Sequence, residues 1–350
     1  MRRKSLEVKI GNKKIGGENP VLVQSMTTAY TQDAASTIAQ INELSAAGAD
    51  IVRFTVPDMK AAENVAEIKA NVKVPIVADI HFDYRLALKS IEGGIDKIRI
   101  NPGNIGDKER VRLVAEKCME RKVPIRIGVN AGSLEREFCE KYGNTPRAMV
   151  ESAKYHVSLL EECGMKDIVI SLKASDVPKT YEAYKMMAEE CDYPLHLGVT
   201  EAGTEYGGII KSAAGIGGLL LSGIGDTIRV SLTANPVEEV RAGKALLAAL
   251  NLSKSARLVS CPTCGRCRIN LFPIAKAVEK RLETVKAPIT VAVMGCAVNG
   301  PGEAREADFG IAGGDNCAVL FKKGEIIRKL PESEILNVLF EEIEKADKNE

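Results

Sequence analysis

The strongest constraint in this 350-residue sequence is a repeat of strand-like and helix-like segments. Between residue 21 and about residue 250, eight apolar, β-branched-rich runs follow one another, each succeeded by a stretch with helical spacing. The runs are VLVQSMTT (21–28), IVRFTV (51–56), PIVADIH (75–81), KIRIN (97–101), PIRIGVN (124–130), DIVISLKA (167–174), PLHLGVT (194–200) and TIRVSLT (227–233). The first helical segment sets Ile38, Ile41, Leu44 and Ala47 on one stripe. Thr145-Pro146, Asp176-Val177-Pro178 and Asn235-Pro236 each put an N-cap residue beside a helix-opening proline. Eight βα units over a length near the ~250 residues usual for the fold predict a closed (β/α)8 TIM-type barrel in the N-terminal part, with an open doubly wound sheet as the alternative.

Two further pieces flank that repeat. The opening VKIGNKKIGG, with Gly11-Asn12 at its bend, reads as a β-hairpin that caps the bottom of the barrel. After Leu252-Ser253-Lys254-Ser255 the pattern breaks and cysteines accumulate, which places a boundary near 252–256 and divides the chain into 1–252 and 253–350. The tail offers strands at 257–260, 289–295 and 308–313, a hairpin over 317–330, and helices near 270–285 and 332–346. That inventory predicts a small α+β domain after the barrel.

Bulk properties remove several classes of function. No run approaches the ~18 consecutive apolar residues of a membrane span. The basic start MRRKSLEVKIGNKK passes directly into a strand pattern with no apolar leader, so a cytoplasmic protein is expected. With 48 basic and 47 acidic residues the net charge is +1, so no global field directs the chain to nucleic acid or a membrane surface. No phosphate-binding nucleotide motif occurs, and GIGGLLLSGIGD (215–226) is glycine-rich in the wrong pattern.

Local charge tells more. In a β/α barrel the active site lies at the C-terminal ends of the strands, so the polar residues late in each run are the ones that matter. They are Ser25 and Thr27, Arg53 and Thr55, Asp79 and His81, Arg99 and Asn101, Arg126 and Asn130, Ser171 and Lys173, His196 and Thr200 followed by Glu201, then Arg229 and Ser231. Five cations set in apolar strands are expensive to bury, and the acids at hand, Asp79, Glu201 and Asp226, do not neutralise them. The balance predicts an anion in the mouth, and the planar fork of arginine suits the oxygens of a diphosphate or bisphosphate. His81 and His196 sit at strand ends where they serve either as acid, base or phosphate ligand, or as orienting hydrogen-bond partners.

Nine cysteines are many for a reducing compartment, and an odd number does not pair completely. Cys118, Cys139, Cys163 and Cys191 are scattered singly and read as small buried hydrophobes. Cys261, Cys264 and Cys267 form C-x-x-C-x-x-C, and Cys296 follows an apolar run in MGCAVNGPGEA. Short-spaced thiolates joined by a distant one suit a shared Fe–S centre better than zinc, which prefers a second close pair. Spacing alone leaves the fourth ligand open between Cys267 and Glu303, which lies in the glycine-proline turn after Cys296.

SCPTCGR together with MGCAVNGPGEA resembles the 4-hydroxy-3-methylbut-2-enyl diphosphate synthases of the non-mevalonate isoprenoid pathway. VQSMTT, VRFTVP, ADIHFDYRLAL, KIRINPGN, RIGVNAGSL, ISLKAS, LGVTEAG and IRVSLT extend the likeness along essentially the whole chain. The resemblance implies a compact bacterial form and reductive ring opening and dehydration of 2-C-methyl-D-erythritol 2,4-cyclodiphosphate to 4-hydroxy-3-methylbut-2-enyl diphosphate. It implies a [4Fe-4S] cluster held by Cys261, Cys264, Cys296 and Glu303, with one exchangeable iron site and Cys267 a bystander. Substrate contacts carry over to Arg53, Asp79, Arg99, Asn101, Arg126, Asn130, Ser171, Lys173, Arg229 and Ser231, and catalytic roles to His81, Glu201 and Glu303. A ferredoxin or a flavodoxin is the implied electron donor. The resemblance also implies a head-to-tail homodimer with cross-subunit active sites, which answers the difficulty that the tail leaves the last barrel helix at the end opposite to the mouth.

Two other functions compete. A radical enzyme using S-adenosylmethionine places its cysteines early in the barrel, whereas here they follow it. A metal-stabilised, non-catalytic binding protein would use the cysteines only to staple the tail.

Overall fold

The computed structural model describes residues 2–101, 104–105, 107–296 and 304–348. The chain divides into two compact units, Met1–Leu252 and Ser253–Glu350. No helix among the described residues is long and apolar enough to cross a membrane.

In the first unit a two-stranded hairpin, β1 (Val8–Ile10) and β2 (Lys13–Ile15), precedes eight parallel strands. These are β3 (Leu22–Met26), β4 (Ile51–Thr55), β5 (Ile76–Asp79), β6 (Lys97–Ile100), β7 (Ile125–Asn130), β8 (Ile168–Lys173), β9 (His196–Leu197) and β10 (Thr227–Ile228). The order runs β8-β7-β6-β5-β4-β3-β10-β9, and an Ile170–Leu195 bridge joins β8 to the run before β9. The sheet thus closes on itself as a (β/α)8 barrel, and the open doubly wound alternative is excluded. Strands buried on both faces are apolar throughout, which is why each appears in the sequence as an unbroken run.

Helix starts follow the expected caps. Thr145, Asp176 and Asn235 accept hydrogen bonds from the backbone N–H groups of Ala148, Lys179 and Val237, each next to a proline in the first turn. At the hairpin bend Gly11 has φ +57°, and Val8, Ile10 and Ile15 pack with Leu22, Ile51, Val77 and Val169. The hairpin therefore plugs the N-terminal end of the barrel and leaves the opposite end open.

The last two strands are shorter than the sequence suggests. After Leu197 and Ile228 the ladder gives way to other partners: the Leu232 N–H donates to Glu239 Oε1 at 3.0 Å and the Thr233 N–H to the Gly203 carbonyl at 2.9 Å. The segments PLHLGVT and TIRVSLT thus end as loops that line the mouth rather than as strands. A 3-10 turn at Ala131–Ser133 and a short helix, Arg136–Tyr142, also lie between β7 and the helix Pro146–Glu162, where no element was expected.

The second unit is a five-stranded sheet ordered β11 (Arg257–Ser260), β12 (Thr290–Met294), β13 (Phe309–Gly314), β14 (Cys317–Lys322) and β15 (Glu325–Pro331). The first three strands are parallel and the last three antiparallel. Helices Leu271–Leu282 and Ile335–Lys348 bury Ile274, Val278, Leu339 and Ile343 in one core with Val291, Val293 and Ile311 of the sheet.

Candidate active site

Register builds the mouth of the barrel. Asp79 pairs with Arg99 and Arg99 with Arg126 across neighbouring strands, while Gly128 pairs with Ser171 and Asn130 with Lys173 one step further along. A pocket holding about 530 Å³ of space, part of it open to solvent, is lined by Arg53, Asp79, His81, Arg99, Arg126, Asn130, Ser171, Lys173, Arg229 and Ser231, with Val199 and Thr200. Ten of the residues named above as substrate-binding or catalytic thus meet in one cavity.

Few of the charges are paired well. Asp79 Oδ1 lies 3.2 Å from Arg99 Nη1 and its Oδ2 3.6 Å from Arg53 Nε, so one carboxylate serves two guanidinium groups. Arg126 is almost wholly buried and donates to Ser171 Oγ at 2.8 Å, yet its Nε and Nη2 find no partner among the described residues. Burial would raise the Asp79 carboxyl, but Arg53 and Arg99 hold it well below the ordinary carboxylate range. Burial brings Arg53 down to about 10 against the pull of Asp79. Burial and then Arg126 and Arg53 push Lys173 well below the usual range of an ammonium group. Buried donors without acceptors and cations raised in energy by one another are what an incoming polyanion relieves.

Two glycines make room for these groups. A Cβ on Gly128 would come within 2.4 Å of Arg99 Nε, and one on Gly198 within 2.7 Å of Lys173 Nζ. Arg99 also donates to the Gly128 carbonyl at 3.0 Å, so it lies flat over a residue that has no side chain.

The structure redistributes several expected roles. His196 is fully buried beneath the pocket, with Nδ1 2.8 Å from Thr227 Oγ1 and Nε2 3.4 Å from Lys173 Nζ. It orients Lys173 and does not line the cavity. Asp226 is not an acid of the mouth: it pairs with Arg2 at 2.8 Å and accepts from Ser5 Oγ and the Leu195 N–H at the closed end. Glu201 is exposed, lies outside the lining, and has a left-handed backbone with φ +52°. Asn101 is buried beside the mouth but also outside the lining, and its Nδ2 donates to Glu135 Oε1 at 3.3 Å.

Two buried charged residues were not singled out in the sequence. Glu239 reaches from the helix Pro236–Ala249 to hold Arg229, with Oε1 3.2 Å from Nη2 and Oε2 3.3 Å from Nε. The mark it leaves in the sequence is an acid inside the buried stripe Pro236, Glu239, Val240, Gly243 and Leu247. Lys97 lies fully buried deeper in the barrel, its Nζ 3.4 Å from Gln24 Oε1.

In the second unit the Gly295 N–H donates to Cys261 Sγ at 3.1 Å, and a Cβ on Gly295 would come within 2.7 Å of Cys267 Sγ. Cys261 and Cys267 therefore approach the residue directly before Cys296. Cys264 is exposed, and the Arg266 backbone N–H, followed by the Arg266 side chain, lowers its thiol from the ordinary value. Soft sulfur ligands receiving backbone N–H groups fit the donor chemistry of an iron–sulfur centre. The described residues nonetheless hold no group of three or more His, Cys, Asp or Glu poised for a metal ion, and Glu303 lies outside the described residues. Cys118 is buried, its thiol raised by burial, as befits a core residue.

A (β/α)8 barrel with a cationic mouth, followed by a cysteine-bearing α+β unit, defines a class of two-domain barrel enzyme. Residues 5–244 match the GcpE TIM-barrel domain and residues 257–345 the GcpE protein C-terminal domain, and the chain belongs to the GcpE family. It is 60% identical over 352 residues to 4-hydroxy-3-methylbut-2-en-1-yl diphosphate synthase (flavodoxin) of Caldanaerobacter subterraneus subsp. tengcongensis, covering 100% of this chain and 99% of the relative. It is 59% identical over 347 residues to the protein of the same name from Geobacter sulfurreducens, covering 99% and 98%. Among solved structures it is similar to an N-acetylneuraminic acid synthetase from Leptospira borgpetersenii (TM-score 0.51, 15% identity, 71% of this chain and 92% of that one). It is also similar to the Yersinia pestis dihydropteroate synthase (TM-score 0.50, 13% identity, 71% and 100%). At such identities these two likenesses speak for the fold alone.

Proposed function

We propose that this chain is a 4-hydroxy-3-methylbut-2-enyl diphosphate synthase, which opens the ring of 2-C-methyl-D-erythritol 2,4-cyclodiphosphate with two electrons and two protons and releases water. The observation that carries the reading is the charge balance of the mouth: among the described residues, Arg53, Arg99, Arg126, Lys173 and Arg229 face only the carboxylates of Asp79 and Glu239. A doubly charged cyclic diphosphate supplies the missing anion.

In this reading the four guanidinium groups and Lys173 clamp the two phosphates, and Asn130, Ser171 and Ser231 take the remaining polar contacts. Asp79 fixes Arg53 and Arg99 in place rather than touching phosphate, since like charges repel. His81, in the cavity wall, serves as acid, base or phosphate ligand, and Glu201, exposed outside the lining, is assigned to proton transfer near the departing hydroxyl. Asn101, buried beside the mouth, is assigned to the substrate on the family resemblance.

Cys261, Cys264, Cys296 and Glu303 would hold the cluster, with Cys267 beside it. When bound, a [4Fe-4S] cluster supplies the electrons one at a time, with one exchangeable iron site. Flavodoxin, which the relatives' name carries, is the donor we assign. The head-to-tail homodimer is assigned on the family resemblance.

The experiment is turnover under anaerobic conditions with the reconstituted protein, a low-potential one-electron donor and the cyclic diphosphate, with the product read by phosphorus NMR. Formation of the linear diphosphate by the wild type, and its loss in Arg126→Ala, is expected. A reconstituted wild type that leaves the cyclic diphosphate intact would overturn the assignment.

A further inference from the structure

Beside the mouth, between β6 and β7, lies a second polar cluster that the clamp does not use. Glu135, at the N-cap of the short helix Arg136–Tyr142, stands at its centre. Its Oε1 is 2.6 Å from His156 Nε2 and accepts from Asn101 Nδ2 at 3.3 Å, while its Oε2 accepts from Ser152 Oγ at 2.7 Å. Ser152 and His156 are fully buried on one face of the helix Pro146–Glu162, one turn apart.

Packing alone does not ask for these residues. An apolar pair would fill the same face without burying a hydroxyl and an imidazole, whose Nδ1 has no partner among the described residues. What the pair does is brace a carboxylate. Burial alone would raise Glu135, but the His156 hydrogen bond, followed by that of Ser152, overrides it and brings the carboxyl down to about 2, so Glu135 is an acceptor and never a donor at neutral pH.

An acceptor-only partner settles which way an amide faces. Asn101 must turn Nδ2, not Oδ1, toward Glu135. The Asn101 carbonyl also accepts from the Asn104 N–H at 2.9 Å. Two residues earlier on the same side of the strand stands Arg99, in the wall of the cavity.

We propose that Glu135, braced by Ser152 and His156, is a positioning residue that fixes the orientation of the Asn101 amide, so that Asn101 meets the substrate with the correct polarity. The proposal rests on the diphosphate-synthase reading above. Glu135 touches no substrate; it acts through Asn101.

A double-mutant cycle tests it, with kcat/KM for the cyclic diphosphate measured for Asn101→Ala, Glu135→Ala, the double variant and Glu135→Gln. Outer supports of a site typically contribute about 10–100-fold, and a loss of that size is expected for Glu135→Ala. The double variant should be no worse than Asn101→Ala alone, because Glu135 has nothing left to position. Glu135→Gln should largely restore activity: its amide oxygen replaces Oε1 for Asn101 and His156, and its amide nitrogen donates to the Ser152 hydroxyl. Ser152→Ala, which removes one brace only, carries the same coupling test should Glu135→Ala fail to fold.

Losses in Glu135→Ala and Asn101→Ala that simply multiply in the double variant would overturn the proposal. So would an Asn101→Ala or Glu135→Ala enzyme as active as the parent. Failure of the underlying reading shows elsewhere, as a wild-type protein that does not turn over the cyclic diphosphate at all.

Discussion

Adding one methyl group at Gly128 should damage the site more than the fold. The new Cβ would sit 2.4 Å from Arg99 Nε, 2.8 Å from Nη2 and 3.0 Å from Cζ, all atoms of a side-chain end. Arg99 must swing away, which breaks its 3.0 Å bond to the Gly128 carbonyl and its 3.2 Å contact with Asp79, and removes one guanidinium from the anion site. A hydrogen bond to a charged group contributes about 1.5–3 kcal/mol, so substrate affinity should fall roughly 10- to 150-fold. Stability should move little, since alanine in place of glycine lowers the entropy of the unfolded chain by about 0.4–1 kcal/mol and offsets part of the crowding. Gly198→Ala is the contrast: its Cβ meets Lys173 Nζ at 2.7 Å and also the Arg229 backbone carbonyl at 2.9 Å, which has no rotamer to yield. Overpacking against backbone costs about 1–3 kcal/mol and should lower the unfolding midpoint by roughly 2–12 °C. Calorimetric titration with the cyclic diphosphate and thermal unfolding, run on both variants, separate the two effects. Wild-type affinity in Gly128→Ala, with the fold intact, would refute the placement of Arg99 in the anion site.

Other consequences follow from the same groups. Burial, with Arg126 and Arg53 behind it, holds Lys97 well below its ordinary range, so the unfolded chain binds the proton more readily and the folded state is penalised at neutral pH. Lys97→Met should therefore raise the unfolding midpoint near pH 7, and the advantage should shrink as pH climbs toward about 10, where unfolded lysine also loses its proton; an unchanged or lower midpoint at pH 7 would contradict this. Cys267→Ser should keep the brown chromophore and turnover while Glu303→Ala loses activity, and the reverse pattern would restore all-cysteine ligation. Mixing a Cys264→Ser chain with an Arg126→Ala chain should restore about one working site per heterodimer if sites form across subunits, and mixed dimers that show no recovery would count against the head-to-tail arrangement.

How much the sequence discloses depends on what each residue is buried against. The barrel strands were legible because two-sided burial leaves uninterrupted apolar runs, and the cations of the mouth because Arg53, Arg99, Arg126 and Lys173 interrupt those runs. β9 and β10 were over-read, because side-chain and loop acceptors such as Glu239 Oε1 take over N–H groups that a strand would otherwise pair. Glu239 itself resembled an ordinary acid in a first helical turn, and only its place in an apolar stripe marked it. Asp226 was assigned to the wrong end of the barrel, since the sequence gives no sign that Arg2 and Ser5 fold back onto it. Ser152 and His156 were passed over for the same reason as Glu239: polar residues on the buried face of a helix become meaningful only when their partner, here Glu135, is brought from another segment.

The most direct test of the account joins the two units of the chain in one spectrum. The protein, reconstituted with iron and sulfide under anaerobic conditions and reduced, is examined by EPR with and without the cyclic diphosphate, alongside Arg126→Ala. A reduced-cluster signal is expected that the substrate alters in the wild type and leaves unaltered, at the same concentration, in Arg126→Ala. A wild-type signal indifferent to saturating substrate, or no iron–sulfur signal at all, would contradict it.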